Sequence, residues 1–485
     1  MLSLGLACHA QLLHYGFQAD TLTSNLLINM YSKCGNVVYC RAVFDQMHAK
    51  SAVSWNTIIS AYAVNDAGEA LQLFLRMFRE GSEMSEYALS SVLCGCASKV
   101  LAFECKQLHA FAIKASMELN KFVGTALVDV YAKCRFVDDA FRMFEFMPEK
   151  SDVTWSSMMA GFVQNELYEQ ALKLFRLERR TCEESNMFVI SSVISACAAT
   201  GALMQGKHVH AVVHKSGFEV NRYISSSLVD MYAKCGSIEE SYIVFSDAGV
   251  KNVVVWNIII SGFSRNGRSL EAIILFEKMQ QMSCCPNEIT YVSLLSACAH
   301  MGLAEEGRKY FVMLKKQHGL SANAFHYACM VDVLGRTGKL EEAKDMIEEM
   351  PFEATASMWG SILGCCRVFR NVELGEMAAK KLFEIEPENG GNHVLLSNIY
   401  AACGRWDGVA SVRELLKKTG AKKERGESWI EVGGEVHRFA VGDRNHDPRM
   451  DDVYARPNAM ADEMEGISGF EWRMEDELHD VWDTI

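Results

Sequence analysis

The chain has 485 residues, of which 49% are apolar and 22% are charged, and this composition is typical of a soluble folded protein. No apolar run reaches the roughly 18 residues that a membrane helix needs, because the best candidate, 252–263, is short and carries polar residues. The 17 cysteines are an odd number without a recognisable secretory segment, so we expect reduced thiols instead of a disulfide framework.

The net charge of −13 is unevenly distributed along the chain. Residues 447–485 carry 12 acidic and 3 basic side chains, and residues 340–389 carry 11 acidic and 5 basic ones. The remainder of the chain is therefore close to neutral, with a small basic excess. Such a balance neither demands nor forbids an RNA partner.

Recurring anchor residues divide the chain into repeats. Trp55, Trp155, Trp256 and Trp359 follow one another at spacings of 100, 101 and 103 residues. Each period contains three smaller units of about 31, 35 and 35 residues, and each unit has the pattern of two helices joined by a short turn. We place this array at 21–355, and residues 1–20 match only the second half of a unit.

Each predicted helix carries a single apolar stripe. Trp55, Ile58, Ile59 and Tyr62 stand at i, i+3, i+4 and i+7, and the segments that begin at the next two tryptophans repeat this spacing. A unit of this size has no core of its own, so the units must stack into an α-solenoid. Four prolines fall at unit ends, where a helix must stop: Pro148, Pro286, Pro351 and Pro387.

The short unit contains a phrase, "NMYSKCGNVVYCRAVFDQM" at 29–47, that recurs twice with little change. We interpret "YSKCG" as the turn between the two helices, with Tyr31 closing the first helix. Cys34, Cys134 and Cys235 occupy the same place in the three copies, and whole triplets of units separate them, so they cannot form one metal site. We expect each to be a small buried side chain at a helix end.

These segments together resemble a known family. The alternation of a Trp-bearing unit, a unit with "GKHVHAVVHKSGF" and a unit with "LVDMYAKCGSIEES" resembles the plant pentatricopeptide repeat proteins of the PLS subclass. Segments such as "SMWGSILGCCRVFRNVELGEMAAKKLFEIEPEN" and "HVLLSNIYAACGRWDGVASVRELLKK" resemble the E domain of that family, which we place at 356–428. "SWIEVGGEVHRFAVGDRNH" resembles its E+ extension, which we place, with an acidic diverged tail, at 429–485.

The resemblance carries expectations for fold and function. It implies an all-α fold, a right-handed α-solenoid of helix-turn-helix repeats that ends in two helical E repeats of the tetratricopeptide kind. It also implies a specificity factor that binds single-stranded RNA in an organelle, a mitochondrion or a chloroplast, usually for C-to-U editing. No membrane or DNA partner is implied. The first residues show no transit-peptide pattern.

Two polar slots in each unit are the candidate base-reading positions. In such a solenoid one base is read per repeat by two or three side chains. One slot follows the tryptophan position and the other is the last residue of the unit, and both hold only Asn, Ser or Thr near helix starts. Helix N-capping is the alternative, because the same residue types are favoured there. The pairs are Asn25/Ser51, Asn56/Ser85, Ser90/Asn120, Thr125/Ser151, Ser156/Asn186, Ser191/Asn221, Ser226/Asn252 and Asn257/Asn287.

The base code of the resembled family assigns bases to several of these pairs. It implies cytosine for Asn25/Ser51 and Asn56/Ser85, adenine for Ser156/Asn186 and Ser226/Asn252, and a pyrimidine for Asn257/Asn287. The pairs in the His-bearing units give only weak indications of adenine, and Thr125/Ser151 is ambiguous. The RNA predicted from the resemblance reads 5′-C-C-n-n-A-n-A-Y-n-n-3′ and ends shortly before the target cytidine.

Three valines form a further candidate contact. Val53, Val153 and Val254 stand two residues before the tryptophans, where the resembled family wedges an apolar side chain between bases. Ordinary packing at a helix start is the alternative.

The sequence holds no signature of a zinc-dependent deaminase, which needs a His-x-Glu pair and a Pro-Cys-x-x-Cys pair. None of the 14 histidines is followed two residues later by Glu, and no Cys-x-x-Cys occurs. We therefore expect no enzymatic activity and no cofactor, and the resemblance implies that a DYW-type deaminase acts in trans. A zinc face at His208, His210 and His214 is disfavoured, because His9, His109 and His210 occupy one repeat slot.

Three other readings remain open from sequence. One is a protein-binding scaffold of the tetratricopeptide kind, although that repeat needs Gly where this chain has Ile59, Met159 and Ile260. Another is an RNA-binding factor for splicing, RNA stability or translation. The third is a truncated paralogue that has lost its function, since the chain begins in mid-repeat.

Overall fold

A computed structural model describes residues 2–15, 20–181, 186–249, 251–316, 319–421, 426–432 and 435–440. The chain divides into two compact units, Met1–Lys422 and Lys423–Ile485. The described part of the first unit is helical, and from α2 onward its helices alternate between a first and a second helix of each repeat.

The first helices are α2 Thr21–Lys33, α4 Ala52–Asn65, α6 Glu86–Lys99, α8 Lys121–Lys133, α10 Asp152–Gln164, α12 Met187–Thr200, α14 Arg222–Lys234, α16 Val253–Arg265, α18 Glu288–Met301, α20 Ala324–Arg336, α22 Ala356–Phe369 and α24 Gly390–Ala402. The second helices are α1 Leu2–His14, α3 Val37–Gln46, α5 Ala67–Arg79, α7 Ala102–Lys114, α9 Val137–Phe146, α11 Tyr168–Thr181, α13 Leu203–Lys215, α15 Ile238–Asp247, α17 Ser269–Gln281, α19 Ala304–Lys316, α21 Leu340–Glu349, α23 Val372–Ile385 and α25 Trp406–Thr419. A 3-10 turn, Phe218–Val220, precedes α14.

The helices form one continuous stack. Each first helix packs against the next first helix, from α2 through to α24, and second helices pack against the first helices of their own and the following repeat. This arrangement confirms the predicted α-solenoid of helix-turn-helix repeats. None of the helices in the described ranges combines the length and apolarity needed to cross a membrane.

The tryptophans join neighbouring repeats. Trp55 is fully buried on α4, and its ring lies 4.8 Å, centroid to centroid, from the Phe44 ring on α3. The Phe144–Trp155 pair, at 4.9 Å, and the Phe245–Trp256 pair, at 4.8 Å, repeat this edge-to-face geometry. The same contact therefore anchors the start of three Trp-bearing repeats, those of Trp55, Trp155 and Trp256.

First helices approach one another closely where small residues face each other. A Cβ added to Gly161 on α10 would lie only 2.6 Å from the Ala132 Cβ on α8. Asn165 closes the same junction, because its Nδ2 donates hydrogen bonds to the carbonyls of Ala132, at 2.9 Å, and Gly161, at 2.8 Å. Asn266 makes the equivalent bonds between α16 and α14. Glycine is therefore needed at this contact for its lack of a side chain.

A histidine–tyrosine pair joins each His-bearing repeat to the short repeat that follows. His109 Nδ1 lies 2.7 Å from the Tyr131 hydroxyl, and the His9–Tyr31 and His210–Tyr232 pairs lie at 2.8 and 2.9 Å. Tyr31, the tyrosine of the opening phrase, thus closes its helix against the preceding repeat, as the sequence predicts.

The turn cysteines lie at helix ends. Cys34, Cys134 and Cys235 are the C-cap residues of α2, α8 and α14. Only Cys134 is buried, and the other two are half-buried, so the expectation of a buried side chain is met fully by the middle copy alone. Burial raises the pKa of the Cys134 thiol.

The second unit contains an antiparallel hairpin that the all-α expectation did not include. Strand β1, Glu427–Val432, pairs with β2, Glu435–Ala440, in a register that sets Glu427 opposite Ala440. Both segments are rich in β-branched and aromatic residues, which favour strands. The remainder of the predicted E+ extension and the acidic tail, 441–485, lies outside the described residues.

Candidate nucleic-acid interface

The second slot of every candidate pair is the N-cap of the next first helix. Each of these side chains accepts a hydrogen bond from a backbone N–H in the first turn, so the capping alternative is confirmed for this slot. The first slot lies five residues after the N-cap of its own helix. The two slots of a pair therefore stand at the N-terminal ends of consecutive first helices. The caps are Ser51, Ser85, Asn120, Ser151, Asn186, Asn221, Asn252 and Asn287.

Some of these capping side chains also form a hydrogen bond with the first slot of their pair. Ser85 Oγ accepts from the Ala88 N–H at 3.2 Å and donates its own hydrogen to Asn56 Oδ1 at 2.6 Å. The Asn186 Nδ2 donates to Ser156 Oγ at 3.0 Å. The structure thus brings the two slots together across neighbouring helices, with 29 and 30 residues of chain between them.

A threonine takes part in the contact of two further pairs. Thr154 Oγ1 lies 2.7 Å from Thr125 Oγ1 and 2.9 Å from Ser151 Oγ, so it bridges that pair. Asn257 Nδ2 donates directly to Asn287 Oδ1 at 2.9 Å, while Thr290 Oγ1 donates to Asn257 Oδ1 at 2.6 Å. Asn257 is only 6% exposed. This pair therefore presents Asn287 to solvent more than Asn257.

In the other four pairs, whose residues all lie in described ranges, no hydrogen bond joins the two slots. Ser226 Oγ donates to the Arg222 carbonyl at 2.7 Å and Ser90 Oγ to the Tyr87 carbonyl at 3.1 Å, each within its own helix. Asn25 Oδ1 is buried without a hydrogen-bond partner. The pairs in this group are Asn25/Ser51, Ser90/Asn120, Ser191/Asn221 and Ser226/Asn252.

The three valines are exposed and are not packed into the helix start. Val53, Val153 and Val254 stand at the second position of α4, α10 and α16 and keep 59%, 63% and 54% of their surface. The alternative of ordinary packing is therefore wrong for them.

The same helix position carries an exposed apolar residue in every first helix from α2 to α20, and we call this row the apolar ladder. Each of its side chains is at least 46% exposed. The sequence prediction included only the three valines, because it located this position by its distance from the tryptophans. An apolar residue two positions after each N-cap is the pattern that identifies the whole row. The ladder consists of Leu22, Val53, Tyr87, Phe122, Val153, Phe188, Tyr223, Val254, Ile289 and Phe325.

Two lysines on the first helices α8 and α14 are each paired with an acid one turn away. Lys133 Nζ lies 2.7 Å from Asp129 Oδ2, and Lys234 Nζ lies 2.7 Å from Asp230 Oδ2. Four-residue steps from the first slots, such as Thr125 to Asp129 to Lys133, place these pairs on the same face as the slots. This face therefore attracts a phosphate backbone less than its lysines alone would suggest.

Two of the three histidines of the disfavoured zinc face have other partners. His210 bonds Tyr232, and burial lowers its pKa, while His214 pairs with Glu219. Within the described ranges no three metal-ligating side chains are grouped so as to hold an ion.

Comparisons with known proteins agree with this architecture. The pattern described as the PPR repeat matches residues 22–51, 53–82, 125–151, 153–177, 289–318 and 325–353, and that of the PPR repeat family matches 251–300. The E motif matches residues 369–431. A mitochondrial pentatricopeptide repeat-containing protein of Arabidopsis thaliana is 39% identical over 91% of this chain and 70% of its own length.

The chain belongs to the pentatricopeptide repeat family. Another mitochondrial member from Arabidopsis thaliana is 35% identical over 99% of this chain, and the chain spans 56% of that relative's length. The crystal structure of the pentatricopeptide repeat protein PPR10 in complex with an 18-nt psaJ RNA element superposes with a TM-score of 0.68, covering 83% of this chain and 61% of that one. At 17% identity this likeness concerns the fold.

Proposed function

We propose that this pentatricopeptide repeat protein binds single-stranded RNA in a sequence-specific manner. The observation that carries the proposal is the regular series of polar slots, one pair between each two consecutive first helices from α2 to α18, that lies beside the apolar ladder. A hydrogen-bonded pair such as Asn56/Ser85 offers donors and acceptors to a base edge, and exposed ladder residues offer apolar and aromatic surface on which bases stack.

Support comes from a solved structure of the same fold. PPR10 is described in complex with an RNA element, and its helices superpose on this chain. Because one base per helical repeat is a known mode of RNA reading, the proposed site is the first-helix face. The apolar ladder and the eight pairs would then contact successive nucleotides.

We further propose a role as a site-specificity factor for C-to-U editing, in the PLS subclass, with a deaminase supplied in trans. The E motif at 369–431 favours this role over one in splicing, RNA stability or translation. The 485 residues contain no zinc-deaminase signature. Relatives described as mitochondrial and chloroplastic support an organellar location.

RNA binding is tested with the predicted decamer and a set of single substitutions. We expect the chain to bind 5′-C-C-n-n-A-n-A-Y-n-n-3′ more tightly than a scrambled RNA of the same composition. Adenine-to-guanine exchange at the fifth nucleotide, opposite Ser156/Asn186, should weaken binding about fivefold or more, whereas the same exchange at the ninth nucleotide, where the decamer specifies no base, should not. Equal affinity for all of these RNAs would contradict sequence-specific reading.

The editing role needs a separate experiment. Plants that lack the protein should lose editing at a small number of organellar cytidines, each preceded by a match to the decamer. Normal editing at every site, together with altered splicing or transcript abundance, would favour the other RNA-processing role. Normal RNA metabolism together with copurification of a stable protein partner would favour a scaffold.

A further inference from the structure

Two aromatic residues of the apolar ladder touch each other between α6 and α8. The rings of Tyr87 and Phe122 lie 5.1 Å apart, centroid to centroid, with their planes tilted by 44°. Both residues stand in the first turn of a first helix, one on each side of the Ser90/Asn120 slot. Their contact lies across the place where a base opposite that slot would stack.

The separation is too small to admit a base. Stacked bases follow one another at about 3.4 Å, so two rings that enclose a base must lie about 7 Å apart. The observed 5.1 Å falls short of this by about 2 Å. A base can enter only if Tyr87 and Phe122 give up their mutual contact.

Exposure supports the closure of this slot. Tyr87 keeps 51% of its surface and Phe122 keeps 46%, the two lowest values in the ladder, because each ring covers part of the other. The second His-bearing repeat provides the comparison. There Phe188 and Tyr223 flank the Ser191/Asn221 slot, are 67% and 77% exposed, and form no ring contact with each other.

We infer that the Ser90/Asn120 slot is closed to a base, so that the third nucleotide of the bound RNA is skipped, while the Ser191/Asn221 slot takes the sixth nucleotide between two aromatic rings. This inference rests on the proposed RNA binding and adds a rule to it. Two repeats with the same Ser/Asn pair thus differ in whether they admit a base, because the aromatic rings beside the two pairs differ in spacing.

Abasic substitution in the RNA separates the two slots. For the unmodified chain, an abasic site at the third nucleotide should change the affinity less than about twofold, and one at the sixth should weaken it about tenfold, since base–aromatic stacking is strong. Comparable losses at both nucleotides, with binding otherwise intact, would overturn this inference alone. Absence of any preference for the decamer over scrambled RNA would overturn the proposed function and this inference together.

Paired protein variants test the rings themselves. Tyr87→Val with Phe122→Val removes the closure and should create a several-fold penalty for an abasic third nucleotide. The matched variant, Phe188→Val with Tyr223→Val, should reduce the penalty at the sixth nucleotide. Because all four side chains are exposed, both variants should unfold at the temperature of the unmodified chain, which circular dichroism checks. An unchanged third-nucleotide penalty in a folded first variant would count against the closed slot.

Discussion

Asn186 Nδ2 lies 3.0 Å from Ser156 Oγ on α10, while Asn186 Oδ1 caps α12 by accepting from the backbone N–H groups of Phe188, at 2.9 Å, and Val189, at 3.0 Å. One side chain thus caps the start of α12 and completes a polar pair with Ser156 on the neighbouring helix. Capping and base reading are therefore compatible at this residue, because they use different atoms of the amide.

The two roles of Asn186 can be separated by substitution. Asn186→Asp keeps a good N-cap, so the free energy of unfolding should change by less than about 0.5 kcal/mol. The same substitution removes the amide donor and should therefore abolish the preference for adenine at the fifth nucleotide. Asn186→Ala should lose the preference and also about 1 kcal/mol of stability. Chemical unfolding and RNA titration measure the two effects. Retained adenine preference in Asn186→Asp would show that the amide does not read the base.

Gly161 should be intolerant of a methyl group. Gly161→Ala forces its new Cβ to within 2.6 Å of the Ala132 Cβ, and the resulting overpacking should lower the free energy of unfolding by about 1–3 kcal/mol. Gly364→Ala on α22 is the control, since nothing lies within 4 Å of its added Cβ. The control should stabilise the chain by about 0.5–1 kcal/mol, because alanine favours a helix over glycine. Equal effects of the two substitutions would refute the close approach of α8 and α10.

Acidification should destabilise the array through its histidine–tyrosine pairs. Burial lowers the pKa of His9, His109 and His210 in the fold, so below about pH 6.5 the unfolded chain binds more protons than the native one. This contribution to stability is complete above that pH and declines as the pH falls through 6.5. The denaturant midpoint should therefore drop between pH 7.5 and pH 5.

Two neighbouring acids reduce the pH effect, and a double substitution by glutamine provides its control. Glu118 and Asp139 raise the pKa of His109 and so reduce its share of the effect. His109→Gln combined with His210→Gln removes two of the titrating groups and should flatten the dependence of the midpoint on pH. A slope that the double substitution leaves unaltered would assign the effect to other groups.

RNA affinity should depend on salt only modestly, because Lys133 and Lys234 on the first-helix face are each paired with an aspartate. Asp230→Asn frees Lys234 and should strengthen RNA binding and steepen the slope of log affinity against log salt by about 1. Asp139→Asn, on the second helix α9, is the matched control and should leave the slope unchanged. Identical slopes for both variants would place Lys234 away from the RNA phosphates.

The sequence alone predicts the repeating architecture and the location of the polar slots. The stripe of Trp55, Ile58 and Ile59 specifies a helix and its buried face by local spacing, and a unit without its own core must stack. Helix capping and slot position are also local properties, since both follow from the start of each helix. The strand composition on both sides of Gly433 and Gly434 indicates a hairpin at 427–440, which the expectation of an all-α fold does not include.

Only the tertiary structure decides which slots meet and which are closed. Asn56 and Ser85 share a hydrogen bond, whereas Ser90 and Asn120, with a similar separation in sequence, do not. The contact of Tyr87 with Phe122 likewise depends on how α6 and α8 stack, because it brings the two ring centroids about 2 Å closer together than an intervening base requires. Repeat spacing fixes the order of the helices along the array, but side-chain packing between them sets these distances.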